Sequence, residues 1–424
     1  MIYINKINLH KKLVYLLLIG AFGPYLFPSL GIRLDQFLVY IVFLYLLFSG
    51  ELKLPKDSTT LAIFFLLFVI FLFPFINSIN PINVISNSLL IAQIENYIQP
   101  IVLFITFYSL LPSKQDEIER IFKNGLELIL WMLVFNTMLS MYIFLNPETS
   151  VIKLFGGSKI LESLNPIAAE LTLAELNLTT GKFSGVFNQT FLVGFIYSLG
   201  LLIWGYLYKN KKEHNLKKIF FMIIILLGGI MSFSKVFIVI GIPMFLIFLG
   251  IKRSLVLFIS LFFLLIAFLI YDNSILEIIN DYKAIPYFTR LIVGITSGNI
   301  LDTFTSSRLD LSSPIFQDIV SILSTNPLFG LGYGSIETSD LSFYEIVSLG
   351  GFMGLLAYLL LMLVLLAPIY NLLTLRDKYF YALFIFLTFI ASLGGPIFTA
   401  NRVSIIIWFI ILLTHQRIKK LSTI

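Results

Sequence analysis

The sequence predicts an all-α, polytopic integral membrane protein of about twelve transmembrane helices, and two observations predict it. Hydrophobic residues make up 58% of the 424 residues against 12% charged, with a mean hydropathy of +0.96. That leaves too little polar surface to clothe a water-soluble globule. The apolar residues are also gathered into runs close to the roughly 20 residues that a helix needs to cross about 30 Å of hydrocarbon. A single transmembrane domain over 1–424 is expected, with no soluble module and no internal repeat.

Taken in order, the runs are 13–30, 33–49, 60–77, 97–111, 125–145, 187–208, 219–233, 235–250, 255–271, 343–367, 379–395 and 400–414. The first follows Lys6, His10, Lys11 and Lys12, and no small-residue cleavage site follows it, so it reads as a retained helix. Short links such as 31–32 and 251–254 join most runs. Three stretches are longer: 78–96 and the two external loops 146–186 and 272–342. Asn77, Asn80, Asn83, Asn87 and Asn96, spread among isoleucines and leucines, predict a segment lying at the headgroups or dipping back as a re-entrant helix. In the second stretch Ala168 to Leu178 predicts a short amphipathic helix with Glu170 and Glu175 facing water. In the third, Thr305-Ser-Ser-Arg308-Leu-Asp310 is rich in N-cap residues and precedes an amphipathic run to Leu323.

Charge sets the orientation. Of the 29 lysines and arginines, Arg33, Lys153, Lys159, Lys182, Lys235, Lys283, Arg290, Arg308 and Arg402 fall on one side of the expected topology, together with the long loops. The rest fall on the other. Positive residues favour the cytoplasm, so both termini are expected there and both long loops outside. The net charge of +6 is accounted for by those inner lysines, and no basic patch interleaved with aromatics points to nucleic acid. With no cysteine, no disulfide staples the loops.

What is missing narrows the chemistry. His10, His214 and His415 all fall in expected cytoplasmic segments, so a metal site or a Cys/His nucleophile on the outer face is not expected, nor is any cofactor. Outer-face chemistry then rests on Asp, Glu, Arg, Lys, Tyr, Ser and Asn. Lys235, in Met231-Ser-Phe-Ser-Lys235, sits at a turn between two spans, where it either reaches a lipid phosphate or snorkels. Arg308 either acts on an anion or pairs with Asp310 at the surface. Lys182, Arg290 and Arg402 are weaker candidates. Asn326-Pro-Leu-Phe-Gly330-Leu-Gly332-Tyr333-Gly334 carries glycines at alternating positions, which permit tight turns and close approach to a ligand. Tyr333, within that run, is a substrate-binding candidate. Gly350, Gly351 and Gly354 read as close helix packing. Asp340 and Glu345 are either solvated acids at a helix entrance or catalytic carboxylates.

Four features together resemble the bacterial O-antigen polymerase (Wzy) and O-antigen ligase superfamily. They are Gly181-Lys-Phe-Ser-Gly185-Val-Phe-Asn188 leading into a helix, Ser232-Phe-Ser-Lys235 between two helices, Arg308 ahead of Asn326-Pro-Leu-Phe-Gly330-Leu-Gly332, and Asp340 ahead of Gly351-Phe-Met-Gly354. The resemblance covers most of the chain from 125 onwards. It implies a glycosyltransferase with a fold related to lipid-dependent (GT-C-like) enzymes, joining sugar units carried on undecaprenyl pyrophosphate at the outer face of the cytoplasmic membrane. Its partners would be those lipid-linked glycans, membrane lipid and a chain-length regulator protein. Arg308 matches the family's arginine in the second long loop, while Lys235 and Lys182 stand where many members have arginine. Lysine keeps the charge and loses the bidentate fork. The ligase branch has an essential histidine near the place of Asp340, which favours a polymerase here.

A polymerase of this kind sends a sugar hydroxyl to an anomeric carbon while pyrophosphate leaves, and fixed cations stabilise the departing charge without a metal. Arg308 and Lys235 are expected at the pyrophosphate, with Lys182, Arg290 and Arg402 in support. Asp340 is the expected general base and Glu345 the second choice, and one carboxylate predicts inversion. A ligase, and a lipid-linked oligosaccharide flippase, are the alternatives.

Overall fold

In the computed structural model the described residues are 6–27, 32–79, 87–112, 114–146, 151–155, 182–187, 189–209, 216–250, 314–336, 342–372, 374–395, 397–399 and 401–419. The expected span 255–271, the expected helix Ala168 to Leu178 and the site candidates Arg290, Arg308 and Asp340 lie outside them. The described chain is helical apart from two short paired strands, β1 (Tyr25–Phe27) and β2 (Ile32–Arg33). Among the described residues five helices are long and apolar enough to cross a membrane: Ser58–Ile79, Leu89–Leu110, Gln115–Leu145, Thr190–Tyr208 and Ser342–Asn371. The chain divides into two compact units. One comprises Met1–Leu26, Ile32–Ile129 and Arg308–Ile424, the other Phe27–Gly31 and Leu130–Ser307.

Unit 1 contains α1 (Lys6–Gly20), α2 (Leu34–Phe48), α3 (Ser58–Ile79), α4 (Asn87–Leu110) and the first half of α5 (Gln115–Leu145). The first helix stops at Gly20, well before the end of the 13–30 run, because Pro24 forces the residue before it away from helical backbone. The fourth begins at Asn87, not at 97, and α3 runs on to Ile79, so most of 78–96 is helical. Polarity hid that start. Gln93 and Gln99 are fully buried on α4, and Gln93 spends its amide on the backbone of another segment rather than on water.

Ion pairs fix the direction of these helices. Glu51, beyond α2, accepts from Lys6 at 2.7 Å and pairs with His10 at 2.6 Å, so the start of α1 and the end of α2 share one end of the unit. Lys53 N–H donates to Ser109 Oγ at 2.8 Å, which brings the end of α4 there too. At the opposite end Asp35, in the first turn of α2, lies 3.1 Å from Arg33 and 3.7 Å from Arg402.

Unit 2 contains the second half of α5, then α6 (Val151–Phe155), α7 (Thr190–Tyr208) and α8 (Leu216–Met231). The expected helix 235–250 is two pieces, a π-helical turn over Val236–Gly241 and α9 (Ile242–Leu249). Pro243 lacks the N–H that would continue the ladder, and Ile242 N–H instead reaches back five residues to Phe237 O. Helix α7 is the core of the unit, buried almost all round from Val193 to Tyr208.

Unit 1 resumes with α10 (Pro314–Thr325), α11 (Ser342–Leu366), α12 (Pro368–Asn371), α13 (Leu375–Ser392) and α14 (Asn401–Lys419). The amphipathic run ahead of Leu323 is therefore the helix α10. At the end of α14, Arg417 bonds Glu119 at 2.6 Å and Asp377 at 3.0 Å. Helix α11 is interrupted at Gly351, whose φ of 60° and ψ of −155° are open to glycine alone. The segment after α10 fills the break. Leu331 and Gly332 N–H donate to Ser348 O and Leu349 O, while Phe352 and Met353 N–H donate to Pro327 O and Leu328 O. Gly351 thus serves an interruption and a backbone pairing, while Gly350 lies against Pro74 of α3, where a Cβ would come within 3.5 Å.

Candidate functional site

The two lysine-bearing segments of the sequence meet in unit 2. Phe183 N–H donates to Met231 O at 3.2 Å, which lays 182–187 along the turn after α8. That turn is held by its serines: Ser232 Oγ donates to Gly229 O at 2.7 Å and accepts from Ser234 N–H at 3.3 Å. Between them Phe233 takes a left-handed φ of 47°, a conformation a bulky residue adopts only when its surroundings impose it. The turn ends on Lys235, which opens the π-helical segment. Burial, and then the charge of Lys235, hold the Lys182 ammonium below the usual lysine range.

Asn136 of α5 holds the other side of this segment. Its Oδ1 accepts from Val186 N–H at 2.7 Å, and its Nδ2 donates to Tyr197 OH at 3.1 Å, which also bonds Thr137 at 2.7 Å. Gly185 turns the chain there with φ 58°, and a Cβ on it would overlap the Asn136 amide. Beside the turn lies a small open recess bounded by Ser140, Ile143, Ile152 and Lys182 to Gly185. An apolar-walled recess with a lysine and two serine hydroxyls suits an anion that also presents oxygen acceptors. Asn136 carried a legible signal: Asn136, Thr137 and Ser140 interrupt an apolar run at one-face helical spacing.

Unit 1 holds three other candidates. Glu345 is buried, 2% exposed, in the half of α11 before the interruption. The Tyr97 hydroxyl donates to its carboxyl, and the Tyr97 ring packs on Tyr333 at 5.3 Å. Tyr333 has no exposed surface. Its hydroxyl donates to Phe71 O at 3.1 Å and its N–H to Ser78 Oγ at 2.6 Å, while Gly334 N–H donates to Gln93 Oε1 at 2.6 Å. Asn77 Nδ2 donates to Phe329 O at 2.5 Å. The polar residues read as an interfacial stretch thus grip the glycine run by its backbone. Arg402 sits with Asp35 and over the Tyr25 ring, 5.1 Å from its centroid. Among the described residues no group of three or more His, Cys, Asp or Glu side chains is placed to hold a metal.

The structure therefore unites Lys182 with Lys235, joins Glu345 to Tyr333 through Tyr97, and engages Arg402 with Asp35 and Tyr25. A scan against models of protein families finds no match, and no curated protein matches the chain.

Proposed function

We propose that the chain is a polymerase of surface polysaccharide, O-antigen or capsule, that transfers an undecaprenyl-pyrophosphate-linked glycan to the terminal sugar hydroxyl of a lipid-linked repeat unit, with inversion and without a metal. On this reading it is a protein of the bacterial cytoplasmic membrane with about twelve spans and a GT-C-like fold. Both termini are cytoplasmic and the reaction runs on the outer face. The observation that carries the reading is the meeting of Lys182 and Lys235 beside a recess lined with hydroxyls. Two ammonium groups on neighbouring segments, with serine hydroxyls beside them, offer a departing diphosphate several charged and polar contacts.

Arg308 keeps the diphosphate contact that the family resemblance implies, and Asp340 keeps the role of general base that the displacement calls for, with Glu345 as second choice. Arg290 remains a supporting cation. Arg402 is left out of the diphosphate site because Asp35 and Tyr25 engage it. Partners on this reading are the lipid-linked glycans and a chain-length regulator. A flippase is the second reading, and the interruption of α11 favours it, since broken helices mark the substrate sites of many transporters.

Deleting the gene separates these readings. A surface glycan ladder that collapses to one repeat unit identifies a polymerase, whereas repeat units accumulating on the inner leaflet identify a flippase. Loss of all transfer to the surface acceptor would identify a ligase instead.

A further inference from the structure

Between α7 and α8 of unit 2 the chain runs Lys209-Asn-Lys-Lys-Glu-His-Asn-Leu-Lys217-Lys218, which sets five lysines against one glutamate in ten residues. Residues 210–215 lie outside the described residues. The other three lysines each sit over aromatic rings. Lys217 Nζ lies 5.8 Å from the ring centroids of Trp131 on α5 and Phe221 on α8, Lys218 Nζ 5.7 Å from that of Trp204 on α7, and Lys209 Nζ 5.2 Å from that of Phe248 on α9. Lys209 Nζ also donates to Phe248 O, which turns it toward α9. Trp204 Nε1 donates to Lys218 O at 2.7 Å, so the start of α8 is tied to α7. Lys217 and Lys218 therefore stand together at the head of α8, one toward α5 and one toward α7.

Beyond these lysines α5 and α8 run side by side. Trp131 packs on Phe221 with ring centroids 4.9 Å apart, and Thr137 Oγ1 lies 3.3 Å from Ile224 O. Along this seam both helices leave apolar side chains exposed, Trp131, Phe135 and Met138 on one and Phe220, Ile223 and Leu227 on the other. Spacings of three and four residues keep each set on one helix face. From Trp131 to the exposed Tyr142 the stripe is about 16 Å deep, close to one leaflet's share of a core of about 30 Å. A stripe of leaflet depth, headed by paired ammonium groups, fits a phospholipid that carries net negative charge. A second copy of the chain fits less well, because a two-fold contact here would bring the same lysines face to face. We propose that unit 2 binds an anionic phospholipid at this end, its phosphate against Lys217 and Lys218 and an acyl chain in the groove between α5 and α8. The charge bias predicts that this end faces the cytoplasm. Such a site needs a bilayer and does not depend on polymerase activity.

Tryptophan fluorescence provides the test, since the chain has three tryptophans, of which Trp131 is exposed while Trp204 and Trp408 are buried. Full-length protein is reconstituted into phosphatidylcholine vesicles in which a minor fraction of the lipid is chain-brominated phosphatidylglycerol or chain-brominated phosphatidylcholine. Bromines on the acyl chains quench a neighbouring indole. Phosphatidylglycerol should quench with an apparent affinity at least about fivefold above phosphatidylcholine, and about 1 M salt, with its short screening length, should shrink that preference. Lys217→Gln and Lys218→Gln together should bring the two lipids level, and Trp131→Phe should abolish the lipid-selective quenching. Equal quenching of the wild-type protein by both lipids overturns the site, as does quenching by neither, the result expected if a second copy covers the groove. A preference that survives the lysine substitutions or Trp131→Phe also overturns it. If the lysine variant fails to fold, the salt series on wild-type protein decides, and a preference that salt leaves unchanged contradicts the assignment.

Discussion

Asn136 bonds a loop amide with one end of its side chain and a tyrosine hydroxyl with the other, so its removal strands both. Asn136→Leu should destabilise the solubilised protein by about 2–4 kcal/mol, as expected for two unpaired buried groups, read as a fall in thermal unfolding temperature. Gly185→Ala brings a Cβ into the same amide at a left-handed φ and should cost about 1–3 kcal/mol in the same assay. The lysines make a pH prediction. Lys182 is held below its ordinary value of 10.5 mainly by burial and secondarily by Lys235. It binds an anion while protonated, so affinity for inorganic pyrophosphate should fall as pH rises through that lowered value. Lys235→Ala removes the like charge and leaves the burial. Calorimetric titration should then show weaker binding overall, with the falling limb moved to higher pH but short of 10.5. An unmoved limb would mean that the two ammonium groups do not sense each other.

Among the elements, α11 shows what could be read from the sequence and what could not. Its apolar length was visible, but 343–367 scans as one unbroken span, because the interruption is made by backbone pairing with residues 327–332 upstream. The glycines at 330 and 351 are each other's condition: a Cβ on either would stand 2.6 Å from the other's backbone nitrogen. Gly330→Ala and Gly351→Ala should each cost about 3 kcal/mol or more. The double variant should cost less than the sum, since the first substitution already opens the pairing. Additive losses in thermal unfolding would show that the two sites do not share one contact. Periodicity found α2, α3, α7 and α8 to within a few residues, because apolarity alone decides them. It misplaced the start of α4 and the end of α1. There a buried glutamine and a proline decide, and neither changes a window average much.

For the whole molecule, the cysteine-free sequence makes sidedness directly measurable. The ion pairs place Lys6, Glu51 and Lys53 at one end of unit 1 and Arg33, Asp35 and Arg402 at the other. The excess of lysine at the first end predicts that it faces the cytoplasm. Ile32→Cys should react with a membrane-impermeant maleimide in intact cells, and Lys53→Cys only after lysis. Reversed labelling would invert the topology. The meeting of Lys182 and Lys235 could not be read from spacing, since 182 and 235 have no common periodicity.

The most direct measurement is reconstitution. Purified chain in liposomes, given only an undecaprenyl-pyrophosphate-linked repeat unit, should lengthen the glycan and release free undecaprenyl pyrophosphate without added metal. The Lys182→Ala, Lys235→Ala double variant should lose at least about a hundredfold in rate, as removal of charge-stabilising groups does. Unextended substrate with wild-type protein, or undiminished extension by the double variant, would contradict the account.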